Sequence, residues 1–288
     1  MILAFAAETI LWKRNKLKAL DSLFANALWR MIFVVAAFLI VWIFTDNIFE
    51  GMTWGSVGLA FLIQIFGSTA IIAWSQTMKN MAVSLAQPLS LFRIIPLTLV
   101  SLLLFPGETS LWEILLVTGI AIFCFSLGFF QGRLEVKSTK DGNYKKGILY
   151  LLLWIVCFVS IDLIVMWATR TEVNPVAFSA VRVVAFFMVA TAIFLILKKG
   201  GRREAIIAGF KNRNMMFIGV CFAVSSLLFI VLLTGMDNVG VLSALVVASV
   251  PLVVLYGVIF NKDRIKWYSY LLIAATVASV VVLSVISS

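Results

Sequence analysis

The sequence predicts an all-α membrane protein with ten transmembrane helices, laid out as two inverted five-helix repeats. Three observations carry that expectation. Of the 288 residues, 63% are hydrophobic and only 12% charged, with a mean hydropathy of +1.11; soluble globular chains run near about 45–50% apolar and 25% charged. The apolar residues come in long unbroken runs, which suit helices rather than the short alternating strands of a membrane β-barrel. The two halves of the chain also align with one another.

The first apolar segment, MILAFAAETILW, is too short to cross a hydrocarbon core of about 30 Å unaided. It is completed by snorkelling of Lys13, Arg14 and Lys16, or the natural chain starts further upstream. The basic cluster follows this run instead of preceding it, the wrong order for a cleaved signal peptide. Nine further spans are predicted: Ala27–Phe44, Trp54–Gln76, Ala82–Leu104, Trp112–Phe129, Gly147–Trp167, Pro175–Leu197, Met215–Thr234, Val239–Phe260 and Trp267–Ser284. Trp54, Trp112, Trp167 and Trp267 stand at span ends, where interfacial aromatics belong.

Loop charge sets the orientation. Lys13, Arg14, Lys16 and Lys18 follow the first span, Lys79 the third, and Arg133, Lys137, Lys140, Lys145 and Lys146 the fifth. Lys198, Lys199, Arg202, Arg203, Lys211 and Arg213 follow the seventh, and Lys262, Arg264 and Lys266 the ninth. The even-numbered loops hold Asp46, Glu50, Glu108, Glu172 and Asp237, with Arg170 as their clear base. The positive-inside bias therefore places the odd loops in the cytoplasm and both termini outside. The same reading explains the net charge of +10 by membrane anchoring, so no nucleic-acid partner is expected.

The internal repeat sets the domains. FRIIPLTLVSLLLFPGETSLWEILL lies over ASVPLVVLYGVIFNKDRIKWYSYLL, so that Pro96 meets Pro251, Glu108 meets Asp263 and Trp112 meets Trp267 at one constant spacing. Upstream, Arg30 in FANALWRMIFVVAAFLI corresponds to Arg182 in AFSAVRVVAFFMVATAIFLI after a small shift. Residues 1–130 form the first repeat, 131–146 a basic cytoplasmic linker and 147–288 the second repeat. Five spans per half give the halves opposite topology, the arrangement that puts a midplane site between inverted repeats in many secondary transporters.

The candidate site residues are polar groups inside apolar spans. Met81–Phe105 is bilayer-long yet contains Gln87, Arg93 and Pro96. A charge at mid-membrane costs about 2.5–3.5 kcal/mol on insertion scales, so Arg93 either lines a wet pathway or ties helices together. Glu8 and Asp162 occupy corresponding places in the first and sixth spans. Each can carry a proton or neutralise a cationic ligand, or serve as counter-ion to Arg30, Arg93 or Arg182. In the third span, Gln64, Ser68, Ser75 and Gln76 share one side at helical spacing, and Ser225 and Ser226 lie in the analogous region of the eighth. Such groups bind solute or bond helices together, and Trp74 stacks on a ligand or fills space. Spans five and ten are nearly free of charge and read as peripheral packing or dimer-contact helices.

Chemistry has few footholds. The chain has no histidine, and Cys124, Cys157 and Cys221 form no CxxC pair, so neither a metal site, a disulfide nor a cofactor is expected. The Walker loop and the HExxH and GxSxG motifs are absent too, and an enzyme is not expected.

PLTLVSLLLFPGETSLW and PLVVLYGVIFNKDRIKW, with NALWRMIF and SAVRVVAF opening spans two and seven, resemble the ten-helix EamA type of the drug/metabolite transporter superfamily over nearly the whole chain. The resemblance implies spans 1–4 and 6–9 around a central cavity and spans 5 and 10 outside. It also implies alternating access for a small organic metabolite: an amino acid, a sugar derivative or an organic cation. The short first span lacks the family's usual Trp-Gly pair, and known members keep both termini in the cytoplasm. On this reading Arg93, Gln64, Ser68, Trp74, Gln87, Asp162, Glu8 and Ser225 contact the solute, with protons as the coupling ion. The protein would sit in the plasma membrane as a multi-pass monomer or homodimer. A flippase for a lipid-linked intermediate and a non-transporting accessory subunit are the alternatives.

Overall fold

The computed structural model describes residues 2–43, 49, 51–104, 112, 115–123, 126, 143–169, 174–235, 249–263 and 265–286. Every regular element among them is helical: α1 (Ile2–Arg14), α2 (Ala19–Ile43), α3 (Trp54–Asn80), α4 (Val83–Ser90), a 3-10 turn (Leu91–Arg93) and α5 (Ile94–Leu104). The second part holds α6 (Asn143–Thr169), α7 (Pro175–Leu197), α8 (Arg202–Lys211), α9 (Arg213–Gly235), α10 (Val250–Phe260) and α11 (Trp267–Ile286). Residues 115–123 are helical as well. Four stretches among the described residues, Ala19–Ile40, Trp54–Asn80, Tyr144–Val165 and Ala177–Leu197, are long and apolar enough to cross a membrane.

The outward surfaces are apolar, as a bilayer demands. On α6, Leu149, Leu152, Leu153 and Val156 fall at helical spacing and are exposed, while Leu151, Trp154 and Ile155 on the other side are buried. In water so large an apolar face would be a liability; against acyl chains it costs nothing. This is a membrane protein of helical type. Trp54, Trp112 and Trp267 are all strongly exposed, as expected of interfacial residues. The side chain of Trp167 lies outside the described residues.

The ends of the odd-numbered spans meet. Lys13 Nζ donates to the carbonyls of Met78 and Met81 at 2.8 and 2.7 Å, capping the last turn of α3 from the end of α1. Lys79 returns a bond to the Leu17 carbonyl. Lys198 pairs with Asp21 at 2.7 Å, and Asn214 donates to the Arg14 carbonyl at 3.2 Å. Asp263, after α10, accepts from the amide and hydroxyl of Ser84 at 3.2 and 2.6 Å and so caps the start of α4. The ends of α1, α3, α7 and α10 thus meet the starts of α2, α4 and α9 at one end of the bundle.

Several boundaries differ from expectation for local reasons. α2 begins at Ala19, eight residues before its predicted start, because Asn15 and Ser22 close a tight turn (2.7 Å). The predicted fourth span stays helical but tightens into a 3-10 turn at Leu91–Arg93, an interruption of its α-helical bonding. Pro88 and Pro96 flank the turn, each lacking the amide a continuous α-helix would use. Pro251, which aligns with Pro96 in the sequence, sits in the first turn of α10, where a missing amide is harmless. α8, expected as part of a basic loop, is a short helix: Gly209 approaches Ala25 closely, and its carbonyl accepts from Trp29 Nε1 at 3.2 Å. Asn143–Lys146, expected in the linker, open α6, whereas residues 127–142 lie outside the described residues. Glu108 and residues 236–248, most of them in the expected ninth span, lie outside them too.

Candidate functional site

α6 builds the site by helical periodicity. Trp154, Phe158 and Asp162 stand at i, i+4 and i+8, one stripe along the side opposite its lipid-facing leucines. Trp74 of α3 packs on Trp154 at 4.8 Å between ring centroids, and Trp154 on Phe158 at 4.4 Å, so the three rings form a continuous ladder. Arg93, at the end of the 3-10 turn, places its guanidinium carbon 5.2 Å from the Phe158 centroid and 5.7 Å from that of Trp154. Its charge therefore points into the bundle and not toward lipid. The 3-10 turn between the two prolines, tighter than the α-helix on either side, sets the register at which Arg93 stands.

Asp162 closes the far end of the stripe. The charges acting on it are those of Arg93 and of Arg182 on α7. Among the described residues, no hydrogen bond or ion pair joins the three. Arg182 Nε is buried without a partner, and its guanidinium lies 5.9 Å from the Phe178 ring. Cation–ring contacts are worth about 0.5–2 kcal/mol. They offset only part of the roughly 2.5–3.5 kcal/mol that a guanidinium costs at mid-membrane. Among the described residues two such groups act on one carboxylate, so the formal charges of the three sum to +1.

Glu8 has a different fate. Arg30 donates to Glu8 Oε1 at 2.8 Å and to Asn26 Oδ1 at 2.7 Å, and its guanidinium lies 3.7 Å from the Phe222 ring. Trp12 Nε1 also reaches Glu8 Oε1, at 3.5 Å. The charged side chains of Arg30 and Glu8 are only 13% and 14% exposed. A closed, hydrogen-bonded pair of this kind is a structural tie, and of the two readings left open for Glu8 the counter-ion reading fits the geometry. Asp162 and Arg182 are the corresponding residues of the second half. Among the described residues they form no such bond.

The remaining sequence candidates fall in two groups. Gln64, Ser68 and Ser75 are buried on α3, and the hydroxyls of Ser68 and Ser75 have no partner among the described residues. Ser225 on α9 is likewise buried with an unpaired hydroxyl, and the side chain of Ser226 lies outside the described residues. Gln87 is held elsewhere, between α4 and α1, where Thr9 donates to it at 3.4 Å. Sequence reasoning misses Trp154 and Phe158. Their spacing from Asp162 is the available signal, masked by the many other large apolar residues of the same span.

No family model matches the chain, and no curated protein matches it. A solved structure, described as the crystal structure of a protein, aligns with a TM-score of 0.55 over 99% of this chain and 96% of that chain, at 10% sequence identity. That likeness shows a shared fold.

Proposed function

We propose that the protein is a secondary carrier that moves a small organic solute across the plasma membrane by alternating access. On this reading it has ten spans in two inverted repeats, of the EamA type, with the solute site at Arg93, Asp162 and Arg182. The observation that carries the reading is the unbonded charge cluster on the inner stripe of α6, beside an aromatic ladder and unpaired hydroxyls. Charges inside a membrane protein with no internal partner mark solute or ion pathways.

The repeat reading is supported by the two acid–arginine sets, Glu8 with Arg30 and Asp162 with Arg182, each formed by the first and second spans of its half. Opposite topology of the halves is supported by the way the odd-numbered span ends gather at one face. In the carrier cycle, Asp162 takes up the coupling proton and Arg93 fixes the solute. The amide and hydroxyls of Gln64, Ser68 and Ser75 orient it. The 3-10 turn at Leu91–Arg93 supplies the flexible point.

Flux in proteoliposomes tests the proposal. Arg93→Ala abolishes uptake or counterflow, while Arg133→Ala, in the basic linker, leaves it intact. Equal activity in both variants removes the site assignment.

A further inference from the structure

The charge balance of the site narrows its ligand. Among the described residues, the acidic and basic side chains that lie well inside the spans are those of Glu8, Arg30, Arg93, Asp162 and Arg182. Glu8 and Arg30 cancel in a direct pair, so the surplus belongs wholly to the cluster of Arg93, Arg182 and Asp162. Arg93, Asp162 and Arg182 are half-buried, and Arg182 Nε is a buried donor with nothing to donate to among the described residues. An anion supplies both missing things at once.

We infer that the solute is an organic monocarboxylate with an apolar body, its carboxylate between Arg93 and Arg182 and its body against Trp74, Trp154 and Phe158. The inference rests on the carrier reading and names the substrate class of that site. A planar carboxylate matches the guanidinium fork, which can donate two parallel bonds to it. While Asp162 is ionised, before it takes up the coupling proton, one surplus charge suits one negative group: a phosphate monoester, with nearly two, meets the carboxylate of Asp162 as a repulsive neighbour. An amine meets two guanidiniums and is disfavoured on the same ground. The ring ladder gives the rest of the molecule an apolar wall, and the unpaired hydroxyls of Ser68 and Ser75 are polar groups buried on α3, the helix that supplies Trp74 to it.

The full-length protein is tested with phenylacetate, phenethylamine, phenylacetamide and phenyl phosphate, by thermal shift in detergent and by counterflow in proteoliposomes. Phenylacetate raises the melting temperature and is transported, and the other three do neither. Arg93→Gln and Arg182→Gln each weaken phenylacetate binding about tenfold or more. Arg93→Lys and Arg182→Lys, which keep the charge and lose the fork, fall between. Lys199→Gln, on the exposed loop after α7, binds like the parent. Binding of the amine, or phenylacetate binding unchanged in both glutamine variants, overturns the inference. Flux of amines or sugars without flux of carboxylates removes this substrate class and leaves the carrier standing. Absence of flux for every solute class removes both.

Discussion

Two arginines inside the same membrane bundle should respond to one substitution with opposite signs. Arg93→Met removes a guanidinium whose direct contacts among the described residues are two rings, at 5.2 and 5.7 Å; its charge also acts on Asp162, which keeps Arg182. The contacts are worth at most about 2 kcal/mol. The charge costs about 2.5–3.5 kcal/mol at that depth. Methionine keeps most of the volume and leaves Asp162 facing Arg182 alone, a balanced set, so the variant gains about 1 kcal/mol. Arg30→Met strands Glu8, which loses its 2.8 Å partner, and frees Asn26 Oδ1. Breaking a buried pair from one side costs about 3–5 kcal/mol. At about 2–4 °C per kcal/mol for a chain of this order of size, Arg93→Met melts a few degrees higher and Arg30→Met about 10 °C lower. Intrinsic fluorescence of the nine tryptophans during heating reads both. A loss of stability in Arg93→Met equal to that in Arg30→Met would refute the reasoning, because Arg93 would then be a structural tie like Arg30.

Three other substitutions test the packing that holds the site. A Cβ at Gly219 would stand 2.8 Å from Trp29 Cβ and 3.0 Å from its backbone carbon, so Gly219→Ala pushes α9 from α2 and costs about 1–3 kcal/mol. At Gly58 nothing lies within 4 Å, and Gly58→Ala in mid-helix gains about 0.5–1 kcal/mol, so the two melts shift in opposite directions. Asp263→Ala removes both bonds to Ser84 and costs about 1–2 kcal/mol; hydrogen exchange at the amides of residues 83–86 rises, and unchanged exchange there rules out the cap.

Much of this architecture is legible in the sequence because a bilayer leaves few options. A helix facing lipid must be apolar along its whole length, so hydropathy alone locates α3, α6 and α7 to within a few residues. Loop charge likewise groups the ends that Lys13, Lys198, Asn214 and Asp263 bring together. α8 escapes notice because RREAIIAGFK is short and polar; it is held by contacts with Ala25 and Trp29, far away in the chain. The 3-10 turn at Leu91–Arg93 lies between Pro88 and Pro96, whereas Pro96 taken alone suggests only a bend in the span. Trp12 ends the first apolar segment of the sequence; it is buried, and its Nε1 reaches Glu8.

The pairing of charges is the part that sequence does not decide, and the reason is geometric. Glu8 and Asp162 occupy corresponding places when the two halves of the sequence are aligned, and three arginines are open to each. Which one they meet depends on how α1 packs on α2 and α9, and α6 on the chain around Arg93, and no local pattern encodes that. In the first half the second-span arginine reaches its acid directly, and Asn26, one turn earlier, fixes its angle. In the second half no such amide stands one turn before the arginine. That position is Phe178, whose ring offers no hydrogen-bond acceptor of this kind, and Arg182 Nε stays unpaired. A ring in place of an amide one turn before the arginine thus accompanies the difference between Arg30, bonded on two sides, and Arg182, whose Nε has no partner among the described residues.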